Sequence, residues 1–199
     1  MTKMAIIGAG LSGLSTAHFL KDHAEITLFE KACDVGGRIS TRRAEPYFFD
    51  HGAQYFTVRT RIFHDFIQPL ISQGIIERWS PRYVKFDSDE IIERKNWRDD
   101  EPRYVGVPGM NNIAKYMAEG LNINVNTRIV SLQSGDAWQL KDESGQFYRD
   151  FDWVISTAPS PQTAKILTKI FKFYDDIKNV EMRACISLML GFSENLSLE

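Results

Sequence analysis

Three glycines carry the first chemistry that can be read in this chain. In Gly8-Ala9-Gly10-Leu11-Ser12-Gly13 they follow a short apolar run, Ala5-Ile6-Ile7, and precede Leu14, Ala17 and Leu20 at near-helical spacing. In that setting Gly8 lets the chain turn sharply out of a strand. Gly10 lets a pyrophosphate approach the backbone, and Gly13 lets a helix pack close to a sheet. The free N–H groups at the helix start, from Leu11 to Gly13, then face phosphate oxygens. Glu30 ends a second apolar run, near the interval of about 20 residues at which such units place an acidic residue. A carboxylate there accepts hydrogen bonds from ribose hydroxyls and repels a 2′-phosphate, which disfavours NADP. Without a ligand the same residues read as a glycine-rich turn and a solvated strand-end Glu.

Gly36-Gly37-Arg38 is a second glycine turn just past the acidic residue. A domain that holds only a nicotinamide dinucleotide has no need of it. The longer FAD does, because the glycines allow a close backbone pass and the guanidinium pairs with phosphate. The plainer reading is a basic loop, since Arg42 and Arg43 lie close by. In Asp50-His51-Gly52-Ala53-Gln54-Tyr55-Phe56, small residues lead to an amide and an aromatic. That pattern suits backbone passing a flat ring, and it suits equally a turn entering a strand. His51 invites a general-base role, but a lone His is more often structural, and no Ser or Cys nucleophile is indicated beside it.

The elements that must position these groups follow from periodicity. Strands over 5–7 and 25–30 with a helix over 11–21 make a βαβ unit. Helices are expected over 63–73, 110–117 and 163–173. Strands are expected over 123–125, 128–132, 153–157 and 185–192, and short strands and turns over 81–107. Residues 138–140 and 146–149 flank the turn Asp142-Glu143-Ser144-Gly145 as a hairpin. The first and late strands are apolar runs of the kind found in parallel sheets covered on both faces. The expected fold class is α/β, a Rossmann-type FAD/NAD(P)-binding three-layer fold with an inserted, partly antiparallel substrate region.

Composition is that of an ordinary soluble globular protein. A formal charge of −2 supplies no basic field for nucleic acid or acidic membranes. No apolar run approaches the ~20 residues of a membrane helix, and the N-terminus does not read as a signal peptide. The expectation is a cytoplasmic protein with Cys33 and Cys185 as free thiols, no metal site, no nucleic-acid or membrane partner and a small-molecule substrate. The sequence sets no oligomeric state.

Gly8 to Gly13, Glu30 and Gly36-Gly37-Arg38 together resemble the FAD-dependent amine oxidase superfamily, with its glutathione-reductase-like FAD fold. Phe49-Asp50-His51-Gly52-Ala53-Gln54-Tyr55-Phe56-Thr57 is similar to the renalase-like branch. So are Val107-Pro108-Gly109-Met110, Thr127-Arg128-Ile129-Val130 and Thr157-Ala158-Pro159-Ser160-Pro161-Gln162, and the resemblance spans nearly the whole chain. It implies FAD as cofactor, held by Gly8, Ala9, Gly10, Leu11, Ser12 and Gly13 at the pyrophosphate. Glu30, with Lys31 beside it, goes to the adenosine ribose, and Gly37 and Arg38 to the phosphate side. Gln54 and Tyr55 fall near the flavin, and the backbone of Ile129 lies against the adenine. Residues 1–58 and 124–165 are expected to form the FAD-binding domain, and 59–123 and 166–199 a partial substrate domain. The implied activity is oxidation of a small reduced donor, a reduced nicotinamide isomer or an amine, with oxygen as acceptor and no catalytic residue assigned. Members of the superfamily continue into a Gly-rich strand and helix over the flavin, which this sequence is expected to lack. The alternative is therefore a shortened, catalytically inactive dinucleotide-binding fragment. A plain NAD-binding domain leaves Gly36-Gly37-Arg38 unexplained.

Overall fold

The structure is a computed structural model that describes residues 1–97, 100–167 and 171–194. Strand β1 (Thr2–Ile7), helix α1 (Leu11–Leu20) and strand β2 (Ala24–Phe29) form the opening unit. A short 3-10 turn over Gly37–Ile39 leads into a hairpin of β3 (Thr41–Ala44) and β4 (Tyr47–Asp50). Then come β5 (Phe56–Thr57), α2 (Arg61–Ser72), β6 (Ile76–Trp79), the hairpin strands β7 (Arg82–Asp87) and β8 (Glu90–Asn96), and β9 (Arg103–Gly106). The chain returns through α3 (Asn111–Ala118) and β10 (Asn122–Asn124) to a meander of β11 (Ile129–Gln133), β12 (Trp138–Asp142) and β13 (Phe147–Phe151). β14 (Trp153–Ser156), α4 (Ser160–Ile166) and α5 (Tyr174–Lys178) are the last described elements.

β10, β2, β1 and β14 lie side by side in that order, every pair parallel. Successive side chains of a strand point to opposite faces, and here both faces are covered. Ile6 and Leu28 pack with Leu14 and Ala17 of α1 and with Ile113, Ala114 and Met117 of α3. Ala5, Ile7 and Phe29 pack on Ile129, Leu132, Leu140 and Phe151 of the meander. This double cover explains why β1 reads as an apolar run without polar alternation. Fully buried Ile6, Leu14, Leu28 and Phe29 each contribute about 1.5–3 kcal/mol by leaving water. The result is the expected three-layer α/β fold: helices, parallel sheet, antiparallel meander.

α3 and β10 fall in the stretch expected to serve the second region, yet they belong to this layer. β10 pairs with β2, and His18 Nε2 of α1 lies 2.6 Å from the Met117 carbonyl oxygen at the end of α3. The intervening insertion contains the antiparallel sheet β5-β9-β6. Ile67 and Leu70 of α2 and Ile76 of β6 join the same core as Ile6, so the insertion shares the hydrophobic interior.

Two expected elements differ. Helix 163–173 starts earlier, with Ser160 and Pro161 in its first turn, and ends at Ile166. A proline preorganises a first turn and lacks an N–H that would be unpaired there anyway; residues 168–170 lie outside the described ones. The expected strand over 185–192 does not form among the described residues. Ile186 is 95% exposed and Leu188 82%. Alternating apolarity states a burial preference but supplies no neighbouring strand. Cys33 and Cys185 are both free and exposed. Among the described residues no helix is long and apolar enough to cross a membrane.

Candidate functional site

β1 ends where the first glycine turn begins. Gly8 has φ +105°, a conformation open to glycine and strained for other residues. Its N–H donates to the Phe29 carbonyl at 2.8 Å. The Thr157 hydroxyl, just past β14, donates to the carbonyls of Ile7 at 3.0 Å and Gly8 at 3.1 Å. A Cβ on Gly13 would overlap the Gly8 carbonyl oxygen, so this glycine sets how closely α1 lies on the strand end. Gly10 is different. Its φ of −78° and ψ of 179° suit any residue, and a Cβ there would come no closer than 3.9 Å to protein atoms. Nothing inside the protein requires a glycine at position 10. What it leaves is open space at the N-terminus of α1, where exposed Leu11 and Ser12 carry first-turn N–H groups.

Glu30 is not a solvated strand end. It is 7% exposed, and its two oxygens accept the backbone N–H of Ala9 at 2.8 Å and of Ala32 at 2.9 Å. Each oxygen keeps a lone pair for a further donor. The carboxylate thus ties the glycine turn to the end of β2. Lys31 beside it is exposed, with Nζ 3.4 Å from Gln162 Oε1 of α4.

The second glycine turn lies against the first. Gly36, at φ +120°, donates its N–H to the Ala9 carbonyl at 2.9 Å. A Cβ on Gly37 would stand 3.3 Å from the Gly10 Cα. Arg38 follows with its side chain exposed. Its carbonyl accepts the Ala53 N–H at 2.9 Å, and a Cβ on Gly52 would overlap that same oxygen. Gln54 and Tyr55 continue directly from this contact. Asp50 anchors the segment. Its Oδ1 accepts the Thr41 hydroxyl at 2.5 Å and the Met110 N–H at 3.1 Å, and the Thr41 oxygen accepts the Asn111 N–H at 3.3 Å. The two residues thereby cap α3.

Ile129 is buried in the meander core. The residues before it are bound to the Glu30 loop, Thr127 N–H to the Glu30 carbonyl at 2.8 Å and Asn126 N–H to the Ala32 carbonyl at 2.9 Å. His51 has a buried Nδ1 without a partner among the described residues, and its carbonyl accepts the Ser187 hydroxyl at 2.6 Å. The structure therefore gathers Gly8 to Gly13, Glu30, Gly36, Gly37, Arg38 and the Gly52–Ala53 backbone around one end of the parallel sheet. Thr157, Asp50 and Arg103 received no role in the sequence. Arg103 is 8% exposed, with its guanidinium over the rings of Tyr55 and Trp97. Only their spatial neighbours reveal them; the fused strand and hairpin contacts have no local signature.

The arrangement fits a dinucleotide: a cradle at Gly10 that any side chain would fill, helix N–H groups facing it, and a buried carboxylate beside it. Comparison with known proteins agrees. Residues 6–69 match the NAD(P)-binding Rossmann-like domain. Mouse (Mus musculus) renalase is 24% identical over 200 residues, covering 92% of this chain and 55% of that protein. Coproporphyrinogen III oxidase of Staphylococcus aureus is 36% identical over 96 residues, 46% of this chain and 21% of that protein. The structure of putrescine oxidase bound to putrescine superimposes with a TM-score of 0.61 at 14% identity, covering 83% of this chain and 60% of that one. This chain thus spans little more than half the length of the mouse protein. The remaining match is to the profile of flavin containing amine oxidoreductases, over residues 85–199 and hence more than half of the chain, and to that family the chain belongs.

Proposed function

We propose that this chain carries the adenosine and pyrophosphate half of the site of an FAD-dependent oxidoreductase, together with part of its donor side. The substrate is a small reduced donor, a reduced nicotinamide isomer or an amine, and oxygen is the acceptor. Bound FAD supplies the hydride acceptor, which no side chain can. The protein's own part is to bind, orient and exclude water. Leu11 and Ser12 offer helix N–H groups to the pyrophosphate, with the Gly8 to Gly13 turn giving it room. Arg38 and the Gly37 backbone serve the phosphate side. Glu30, with Lys31 beside it, takes the adenosine ribose, and the chain at Ile129 the adenine. Gln54 and Tyr55 flank the flavin. The FAD-binding layer in this reading comprises about 1–58 and 124–165, to which the packing of α3 and β10 adds 111–124.

The observation that carries the reading is the open space at Gly10, where a Cβ would meet no protein atom beyond its chain neighbours closer than 3.9 Å and where neither φ nor ψ demands a glycine. The test is the flavin-to-protein ratio of the purified chain, with turnover of reduced nicotinamide isomers and of amines. Flavin near stoichiometry with turnover supports the proposal; protein that takes up no flavin and no ADP overturns it. A second reading, a dinucleotide binder without turnover, is favoured by the segment 180–192, which joins no strand among the described residues and whose Ile186, Leu188 and Leu190 are 95%, 82% and 62% exposed. Flavin bound without turnover of either donor class selects it.

A further inference from the structure

Arg103 is a buried charge that dinucleotide binding leaves unused. It stands on β9 opposite Thr57 of β5 and Trp79 of β6. Its guanidinium carbon lies 3.0 Å from the centre of the Trp97 ring and 4.7 Å from that of Tyr55. The Tyr55 ring in turn rests 5.8 Å from that of Trp79. These ring faces attract the cation but offer no lone pair to its N–H groups. Among the described residues, neither the buried Arg103 Nη1 nor the buried indole Nε1 of Trp97 has a hydrogen-bond partner. Two neighbouring side chains thus bury donors for which the described residues supply no acceptor. Each such group carries a desolvation cost. The rings offset part of it by attracting the cation, but they leave the two N–H groups without an acceptor. Tyr55 is 40% exposed and Trp79 42%, while Arg103 is 8% exposed and the two donors are themselves buried, so an acid that pairs with them has to displace a side chain that now covers them.

We propose that Arg103 and Trp97 form a carboxylate site, with Tyr55 and Trp79 receiving the apolar body of the acid. A carboxylate brings acceptors only, and two of them, to a place that has two unsatisfied donors. It also neutralises a buried positive charge, as a carboxamide does not, and a carboxamide adds N–H donors that find no acceptor. Because Tyr55 is the residue assigned to the flavin side, the bound acid is the donor class of the proposed reaction, a small amine or reduced heterocycle that carries a carboxylate. That last step rests on the proposed function; the carboxylate site itself does not.

The experiment uses the purified chain and the intrinsic tryptophan emission, excited at the red edge of indole absorption. The probe is sodium cyclohexanecarboxylate, with cyclohexanecarboxamide as neutral comparator and sodium chloride to match ionic strength. Saturable change with the carboxylate, and much weaker response to the amide, is expected. Arg103→Met should bind the carboxylate about 10- to 100-fold more weakly, the loss expected for a hydrogen bond to a charged group. Its urea midpoint should equal or exceed that of the unmodified chain, because a buried unpaired donor has been removed. Trp97→Phe keeps the ring and deletes the indole N–H, and should weaken the carboxylate several-fold; it serves as the deciding variant should Arg103→Met fail to fold. No saturable response in the unmodified chain, or unchanged affinity in either folded variant, overturns the site. Flavin content is measured on the same samples. Flavin without carboxylate binding overturns this inference alone, whereas carboxylate binding in protein that takes up neither flavin nor ADP supports the site and removes the oxidoreductase reading.

Discussion

Gly10 and Gly13 stand three positions apart in one motif, and alanine at each should act through a different property. At Gly13 the new Cβ overlaps the Gly8 carbonyl oxygen, a backbone atom that cannot rotate away. Overpacking of this kind costs about 3 kcal/mol at the upper end. Alanine recovers about 1 kcal/mol of helix propensity over glycine, so the net loss is about 2 kcal/mol. At Gly10 the nearest protein atoms are 3.9 Å from the new Cβ, and φ and ψ are −78° and 179°. Restricting the unfolded chain stabilises by about 0.4–1 kcal/mol, while alanine in place of glycine at a helix N-cap costs a similar amount. The net change in folding stability is near zero. The methyl group nonetheless fills the space through which a pyrophosphate must approach, and should weaken ADP by about 10- to 100-fold, the equivalent of one lost charge-assisted hydrogen bond. Urea midpoints of the two variants and calorimetric titration with ADP separate the effects. Should Gly10→Ala lose as much stability as Gly13→Ala, or bind ADP like the unmodified chain, the assignment of Gly10 to the ligand is wrong.

Glu30→Ala should destabilise the chain even without nucleotide by about 1–3 kcal/mol, because the N–H groups of Ala9 and Ala32 lose their acceptors; an unchanged urea midpoint would mean that water replaces the carboxylate freely. Arg38→Ala should leave stability within about 0.5 kcal/mol, as for other exposed side chains, yet weaken ADP more than adenosine; equal losses for both in calorimetry would point away from phosphate. Asp142 pairs with Ile129 across β11 and β12 and reports on the meander. The hydrogen bond from the Ser144 hydroxyl, followed by those from the Gln146 N–H, the Tyr148 hydroxyl and the Ser144 N–H, holds its carboxyl below the ordinary carboxylate range. A depressed folded value means that its stabilisation is complete above the ordinary range and disappears as pH falls through the folded value. Asp142→Asn should therefore lower the midpoint at neutral pH and lessen its fall on acidification; parallel pH profiles for the two proteins would contradict this.

The parts of the fold legible in the sequence are those whose cause is local. Gly8 and Gly36 are glycines because of their own φ angles, Gly13 because of the carbonyl one turn below it, and Glu30 because a strand end returns to the first turn at a fixed distance. The meander hairpin was readable because Asp142 and Gly145 mark its turn and the strands alternate about it. Asp50 shows the opposite case. It caps α3 from a hairpin far away in the chain, so neither its own neighbours nor those of Met110 announce the contact. The placement of α3 and β10 in the parallel layer was hidden for the same reason: an isolated three-residue strand such as Asn122–Asn124 acquires meaning only beside β2. Within the expected strand 185–192 the alternation of Ile186, Leu188, Leu190 and Phe192 is real, but a strand also needs an edge in register to pair with.

Residues 50–55 join what the two ends of the candidate site require. At one end Asp50 is bound to the start of α3 by the Met110 N–H, and through Thr41 to Asn111. In the middle Gly52 and Ala53 press against the carbonyl of Arg38, so the backbone assigned to the phosphate side and the backbone leading to Tyr55 are in direct contact. At the other end the Tyr55 ring meets Trp79 and the Arg103 guanidinium. The first and last of these contacts are made by the side chains of Asp50 and Tyr55, the middle one by backbone. In the proposed reading, six consecutive residues set the distance between Arg38 on the phosphate side and Arg103 on the carboxylate side, and a ligand that bridges the two would have to match it.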